Sequence, residues 1–109
     1  MECTTTKQDG AFIISVSGRL DAVTAPEFEQ TCAPLIEAGE KLLIADLAKL
    51  EYISSAGLRS ILSAAKKLKA IQGEIRFCNP NKMVKEVFSM SGFDTMFTLC
   101  GSLDEALKQ

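Results

Sequence analysis

The chain has 109 residues and a mass of 11.8 kDa, which fits one domain, because two separate cores would each bury too little surface. Twelve basic and fourteen acidic side chains give a net charge of −2, which disfavours binding to nucleic acids or anionic membranes. The absence of histidine excludes histidine-based triads and the usual zinc and copper ligand sets.

The four cysteines, Cys3, Cys32, Cys78 and Cys100, are too widely spaced to form a CxxC pair or a disulfide-dense scaffold. Cys32 and Cys78 fall within apolar patterns and are expected to be small core residues. The first ten residues lack the apolar run of a signal peptide, and no apolar stretch is long enough to cross a bilayer. These features predict a reduced, cytoplasmic protein with four free thiols.

The first twenty residues predict a β-hairpin. Cys3–Gln8 is rich in threonine and is expected to form a short edge strand. Asp9-Gly10 is a strong turn signal, because glycine tolerates a positive φ. Ala11–Ser17 alternates well enough for a second strand, which Gly18 is expected to close.

A helix and a buried strand follow the hairpin. Thr24 and Glu27 have the spacing of a capping box, so a helix is expected from about Ala25 to Ala38. Gly39 stands where a helix-ending glycine is common. Residues 41–46 (KLLIAD) form a continuous apolar run, which is typical of a strand buried on both faces.

The second helix has the clearest pattern, since its polar and apolar positions separate onto two faces. The strand Glu74–Cys78 comes next, and Asn79-Pro80 is expected to open a third helix that ends near Ser91-Gly92. Met96–Leu99 is expected to form a last short strand. The capping box of Ser102 and Glu105 predicts a final helix after it. The apolar face of the second helix comprises Leu58, Ile61, Leu62, Ala65 and Leu68.

This order of elements predicts an α/β fold with a mixed, mostly parallel sheet of four to five strands, packed by about four helices. The first two strands form a hairpin, whereas the later ones need helical crossovers. The predicted core includes Leu42, Ile44, Leu58, Ile61, Leu62, Ile75 and Phe88.

Common enzyme motifs are absent. The sequence has no GxxxxGK loop, no GxGxxG after a strand and no GxSxG elbow. The acids Asp46, Glu51 and Asp94 are scattered, and solvated or capping roles suit them better than paired catalysis. The residues alone therefore identify no catalytic motif, and neither a cofactor nor a metal site is expected.

Two adjacent serines, Ser54 and Ser55, stand where the second helix is expected to begin after a buried strand and a short loop. Serine is preferred at helix starts because its hydroxyl accepts a hydrogen bond from an unpaired backbone N–H. A phosphate on such a hydroxyl would also meet free N–H groups and the positive end of the helix dipole. The pattern therefore allows a structural cap, a modification site, or both.

The segment around these serines resembles the phosphorylation loop of STAS-domain proteins, particularly bacterial anti-sigma factor antagonists. Their pattern is approximately D-L-x-x-V-x-Y-I-D-S-[ST]-G-L, and residues 46–58 read DLAKLEYISSAGL. Ser54 and Ala56 depart from that pattern, in which an acid and a serine or threonine stand. The matching residues are Asp46, Leu47, Tyr52, Ile53, Ser55, Gly57 and Leu58.

The resemblance extends over nearly the whole chain. Residues 18–25 (GRLDAVTA) resemble the early G-x-L-D-x-x-[TN]-[AS] segment of the family. Residues 91–93 (SGF), Phe97 and residues 102–107 (SLDEAL) resemble its closing S-G-[LF]…F…S-x-x-E-A-L. The resemblance implies a single STAS-like domain over residues 1–109.

It also implies partner switching. The unphosphorylated protein would bind an anti-sigma factor that is a serine kinase, which would release the sigma factor. The kinase would phosphorylate Ser55 and end the interaction, and a serine phosphatase of the PP2C type would restore it. The implied partner-binding residues are Asp21, Thr24, Ser54, Ala56, Gly57, Leu58 and Arg59.

Two other functions stay open at this point. One is a STAS adaptor subunit of another assembly, such as a stressosome or a lipid-transport complex. The other is a small-ligand or nucleotide-binding domain that uses the helix start at residues 55–58 as an anion site.

Overall fold

A computed structural model describes residues 1–109 and contains five strands and five helices. The strands form one sheet in the order β1-β2-β3-β4-β5, with β1 antiparallel to β2 and the other neighbouring strands parallel. The predicted mixed, mostly parallel sheet is thus confirmed. The elements are β1 (Glu2–Gln8), β2 (Ala11–Leu20), α1 (Ala25–Glu37), β3 (Leu42–Ile53), α2 (Ser55–Ala70), β4 (Glu74–Cys78), α3 (Lys82–Met90), α4 (Phe93–Met96), β5 (Leu99–Cys100) and α5 (Leu103–Lys108).

The hairpin forms at the predicted turn. Asp9 and Gly10 have φ values of 50° and 81°, as a two-residue turn between antiparallel strands requires. The predicted end of β2 at Gly18 is wrong, because the strand continues to Leu20. Gly18 has a φ of 87° next to a register shift, so it bends the strand without ending it.

Strand β3 is twice as long as predicted. The expected loop after Asp46 is absent, because the strand has twelve residues in all and ends only at Ile53. Two register shifts against β2 each insert an extra residue into β3. The buried Leu47, Leu50 and Ile53 are consequently three residues apart, a spacing that hides the strand in the sequence.

Helix α1 begins as predicted but without the expected capping box. The Thr24 side chain makes no capping hydrogen bond, because its hydroxyl donates to the Arg19 carbonyl oxygen at 2.8 Å. At the other end, Gly39 has a φ of 88° and its N–H donates to the Ile36 carbonyl oxygen. The predicted helix-ending role of this glycine is confirmed.

Helix α2 turns a slightly different face to the sheet from the one predicted. Its buried stripe runs along Gly57, Ile61, Ala64 and Leu68 and also includes Ser60. The small residues Gly57 and Ala64 let the helix approach closely, which moves the larger leucines to the border of the contact. Among the predicted core residues, Ile44, Ile61, Ile75 and Phe88 are buried, whereas Leu42, Leu58 and Leu62 are only half-buried.

The C-terminal third contains one helix more than expected. Helix α3 is capped by Asn81, two residues after the predicted start, and its side-chain oxygen accepts from the Val84 N–H at 2.7 Å. Helix α4 follows Gly92, which moves the last strand to Leu99–Cys100. Ser102 caps α5 as predicted, since its hydroxyl accepts from the Glu105 N–H at 3.2 Å.

The helices cover the two faces of the sheet unequally. Helices α1 to α4 pack on one face over a core of nineteen buried residues. Helix α5 covers the other face, where Ala106 packs against a smaller group that includes Ile13, Ile44 and Cys78. No helix is long and apolar enough to cross a membrane.

Candidate functional site

The two serines at the start of α2 have different environments. Ser54 is the half-buried N-cap, and its hydroxyl accepts a 3.3 Å hydrogen bond from the Gly57 N–H. Ser55 is the first residue of the helix; it is exposed and its hydroxyl makes no hydrogen bond. The cap therefore uses the hydroxyl of Ser54 and leaves that of Ser55 free.

The helix start is attached to the end of β2. The Ser54 N–H donates a 3.0 Å hydrogen bond to the Leu20 carbonyl oxygen, and Leu20 pairs with Ile53 across the sheet. Gly57 is buried there, and a Cβ at this position would lie 2.5 Å from the same Leu20 oxygen. This burial assigns Gly57 to the contact between helix and strand rather than to the exposed surface.

The loop between β2 and α1 is organised by Asp21. Its carboxylate oxygen accepts hydrogen bonds from the N–H groups of Val23 and Thr24 at 3.1 and 3.2 Å. The Thr24 hydroxyl in turn accepts from the Asp21 N–H at 2.9 Å. The hydrogen bonds that the carboxylate accepts, above all the one from the Thr24 N–H, hold the pKa of Asp21 below its ordinary value of 3.8. Because Asp21 directly follows Leu20, the structure brings this loop beside the start of α2.

Sequence reasoning missed two features of this region. The Arg19 guanidinium lies 4.2 Å from the centre of the Tyr52 ring and 3.9 Å from the Asp21 carboxylate. Val23 is 87% exposed at the tip of the loop, although it is a sizeable apolar side chain. The alternation of strand residues could have placed Arg19 and Tyr52 on one face, but only with the correct β2–β3 register.

The other predicted partner-binding residues lie along the first turns of α2. Ala56 and Leu58 are half-buried, and Arg59 is exposed. The backbone N–H groups of Ser55 and Ala56 have no hydrogen-bond acceptor in the protein. With the helix dipole, these groups favour a negative charge at Ser55.

Neither a cavity nor a cluster of metal-ligating side chains lies at the start of α2. No group of three or more cysteine, aspartate or glutamate side chains in the protein could hold a metal ion. The two cavities of the molecule lie elsewhere, one beside the C-terminal half of α2 and the other beside Asn79 and Gly101. The start of α2 is an open surface that presents the free hydroxyl of Ser55.

This single α/β domain, with its serine at a helix start, can be assigned to a protein family. The family model of the STAS domain matches residues 2–106, and the chain belongs to this family. It is 39% identical over 106 residues to BtrV of Bordetella bronchiseptica, named as an anti-sigma factor antagonist, with 97% of this chain and 91% of that one covered. It is also 27% identical to the anti-sigma-B factor antagonist of Staphylococcus aureus (strain NCTC 8325 / PS 47), over 81% of this chain and 82% of that one.

Solved structures agree with this assignment. An anti-sigma factor antagonist from Mycobacterium paratuberculosis superposes with a TM-score of 0.88 and 29% identity, covering 98% of this chain and 91% of that one. Unphosphorylated SpoIIAA superposes with a TM-score of 0.83 and 21% identity, covering 97% and 93%. The SpoIIAA likeness concerns the fold alone.

Proposed function

We propose that this protein is an anti-sigma factor antagonist controlled by phosphorylation of Ser55. In the unphosphorylated form it binds an anti-sigma factor that is a serine kinase, and the sigma factor is released. The kinase then phosphorylates Ser55, and the complex separates. The observation that carries this proposal is the exposed, unbonded hydroxyl of Ser55 at the start of α2. The names of the relatives support the antagonist role.

The geometry favours Ser55 over Ser54 as the phosphate acceptor. The Ser54 hydroxyl accepts the Gly57 N–H and is half-buried, so a phosphate there would disrupt the cap. The Ser55 hydroxyl meets neither obstacle. Ser54 replaces the acid of the family pattern, and serine and aspartate serve equally well as N-caps. The substitution therefore preserves the local structure that presents Ser55.

The energetics suit a switch that acts on the partner rather than on the fold. A phosphate adds a charge of about −1.5 to −2. The helix dipole and the free N–H groups of Ser55 and Ala56 offset this by roughly 0.3–1 kcal/mol, so the domain stays folded. A partner surface without a matching cation must desolvate the phosphate, and a penalty of about 3 kcal/mol weakens binding about a hundredfold.

The proposed partner surface joins the loop after β2 to the first turns of α2. Asp21 and Thr24 shape the loop, Ser54 fixes the helix start beside it, and Ala56, Leu58 and Arg59 line the helix. Gly57 contributes by allowing the close approach of the helix to Leu20.

The cycle has two further requirements. A serine phosphatase of the PP2C type reverses the modification, and kinase and phosphatase meet this protein in the cytoplasm. In this cycle the protein acts as a substrate and a binding module, not as an enzyme.

The test is incubation with the cognate kinase and ATP, followed by peptide mapping. Phosphate is expected on Ser55 in the wild type and in Ser54→Asp, which keeps a capping side chain. Ser55→Ala is expected to bind the kinase and to accept no phosphate. Phosphate on Ser54 would move the site by one residue. No phosphate on either serine, with a kinase active on another substrate, would reject the switch and favour the adaptor role.

A second test addresses the loop. Asp21→Ala removes the acceptor of two backbone hydrogen bonds, so partner affinity is expected to fall while the melting temperature changes by only a few degrees. Glu27→Ala, at an exposed position near the start of α1, is the matched control. Equal affinities of the two variants would remove Asp21 from the partner surface.

A further inference from the structure

A groove of about 500 Å³ lies beside the C-terminal half of α2. Its lining residues on α2 run from Leu62 to Lys69, which are seven and fourteen positions after Ser55, or about 10 and 21 Å along the helix. Sites for small molecules typically have volumes of about 300–1,000 Å³. The groove is therefore large enough for a ligand, and it begins one helical turn after Leu58, the nearest part of the proposed partner surface on that face.

Five of the ten residues that line the groove are apolar, and we call these five its floor. Leu62 and Ala65 contribute from α2, Ile75 from β4, and Met96 and Phe97 from the end of α4. Met96 is 58% exposed, so one large apolar side chain of this floor stands uncovered. Covering it with an aliphatic chain would remove apolar surface from water, which is favourable.

Two lysines without an ion-pair partner also line the groove. Lys66 and Lys69 are exposed and neither forms an ion pair. The only acid of the lining is Glu74, whose carboxylate already accepts a 3.0 Å hydrogen bond from Arg76. Two lysines and one glutamate leave a net charge of +1. Thr98 also lines the groove, and its hydroxyl makes no hydrogen bond within the protein.

We propose that this groove binds a free carboxylate with an aliphatic chain, of the fatty-acid class. The chain lies over the apolar floor and covers Met96. The carboxylate sits between Lys66 and Lys69, and Thr98 donates a hydrogen bond to it. The net charge of +1 matches a monoanion, and a cationic amphiphile of the same length is excluded by repulsion. This binding is independent of the proposed partner switching at Ser55.

The test is a titration of the full chain with dodecanoate at submicellar concentration, followed by amide NMR shifts. Saturable shifts are expected at Leu62, Ile75 and Phe97, with the signals of Ser55 and Arg59 unchanged. Acetate, which lacks the chain, and dodecyltrimethylammonium, which reverses the charge, are expected to produce no saturable shift at these positions. Equal binding of the ammonium compound, or shifts spread over the whole protein, would overturn the proposal.

Two lysine-to-glutamate variants on α2 form a matched pair, because they carry the same charge change and only one of them lies in the groove. Lys69→Glu is expected to weaken dodecanoate binding about tenfold, since a favourable pair becomes a repulsive one. Lys67→Glu, in the same turn but outside the groove, carries the same charge change and is expected to bind like the wild type. Met96→Glu tests the floor independently and is expected to abolish binding. Equal affinities of Lys67→Glu and Lys69→Glu, with both folded by circular dichroism, would contradict the assignment.

Discussion

The carbonyl oxygen of Leu20 occupies the space that a side chain on Gly57 would need, since a Cβ there would lie 2.5 Å from it. The same oxygen accepts the Ser54 N–H at 3.0 Å, so it is fixed in place. The end of β2 and the first turn of α2 therefore meet backbone to backbone. This contact places the Asp21 loop beside Ser55.

Gly57→Ala is expected to destabilise the domain by about 1–3 kcal/mol, because the new methyl group clashes with a fixed backbone atom. Alanine ordinarily stabilises a helix relative to glycine, so the sign of the change isolates the clash. Gly101→Ala is the control, since its Cβ would meet only a flexible Glu105 carboxylate at 3.6 Å. Urea denaturation measures both, and a neutral Gly57→Ala would contradict the close approach.

The two serines of the site are expected to differ in their effect on stability. Ser54→Ala removes the oxygen that accepts the Gly57 N–H, so it is expected to cost about 1 kcal/mol. Ser55→Ala removes an exposed hydroxyl without a hydrogen bond, and its unfolding free energy is expected to stay within about 0.5 kcal/mol of the wild type. Equal losses in urea denaturation would mean that both hydroxyls hold the helix start.

The elements that sequence reasoning identified correctly are those with strong local signals. The Asp9-Gly10 turn, the apolar strand β4 and the cap at Ser102 each depend on neighbouring residues alone. Strand β3 was underestimated because its two bulges change the spacing of buried residues from two to three. Helix α4 was missed because four residues are too few for a helical period.

The candidate site also has features that local sequence predicts and features that it does not. The sequence was sufficient to place Ser54 and Ser55 at a helix start, because capping is local. It did not reveal which hydroxyl the cap uses. It also did not show that Thr24 bonds to Arg19 and Asp21 instead of capping α1. Such choices depend on the register of β2 against β3, which no local pattern specifies.

Arg76 is expected to hold the C-terminal helix in place. It is 8% exposed, and its Nη1 donates a 2.8 Å hydrogen bond to the Ala106 carbonyl oxygen in α5. Arg76→Ala is expected to cost about 1.5–3 kcal/mol and to increase hydrogen exchange throughout α5. Glu74→Gln, which alters only the exposed side of the network, is expected to cost less than about 1 kcal/mol. Unchanged exchange in α5 would contradict this role.

The four cysteines are free thiols in the structure, and we expect them to have low reactivity. Burial raises the pKa of Cys32 and Cys78 to about 12, so little thiolate forms at neutral pH. Iodoacetamide at about pH 8 is expected to label half-buried Cys3 first in the folded protein. All four are expected to react after denaturation without reductant. Mass spectrometry counts the labels, and fewer than four would reveal a disulfide.

The carboxylate of Asp21 is expected to contribute to the acid sensitivity of the domain. The hydrogen bonds that it accepts lower its pKa in the folded state below the ordinary 3.8, and the one from the Thr24 N–H has the largest effect. A group with a lowered folded pKa stabilises the protein above its unfolded pKa, and this contribution disappears as the pH falls through the folded value. Asp21→Asn keeps an oxygen acceptor but does not titrate, so it is expected to lose less stability than the wild type between about pH 5 and pH 2.

Asp94→Asn, exposed on α4 without a side-chain hydrogen bond, is the control and is expected to follow the wild type. Urea denaturation at each pH gives the comparison, and identical acid slopes for all three proteins would show that the Asp21 carboxylate does not stabilise the loop.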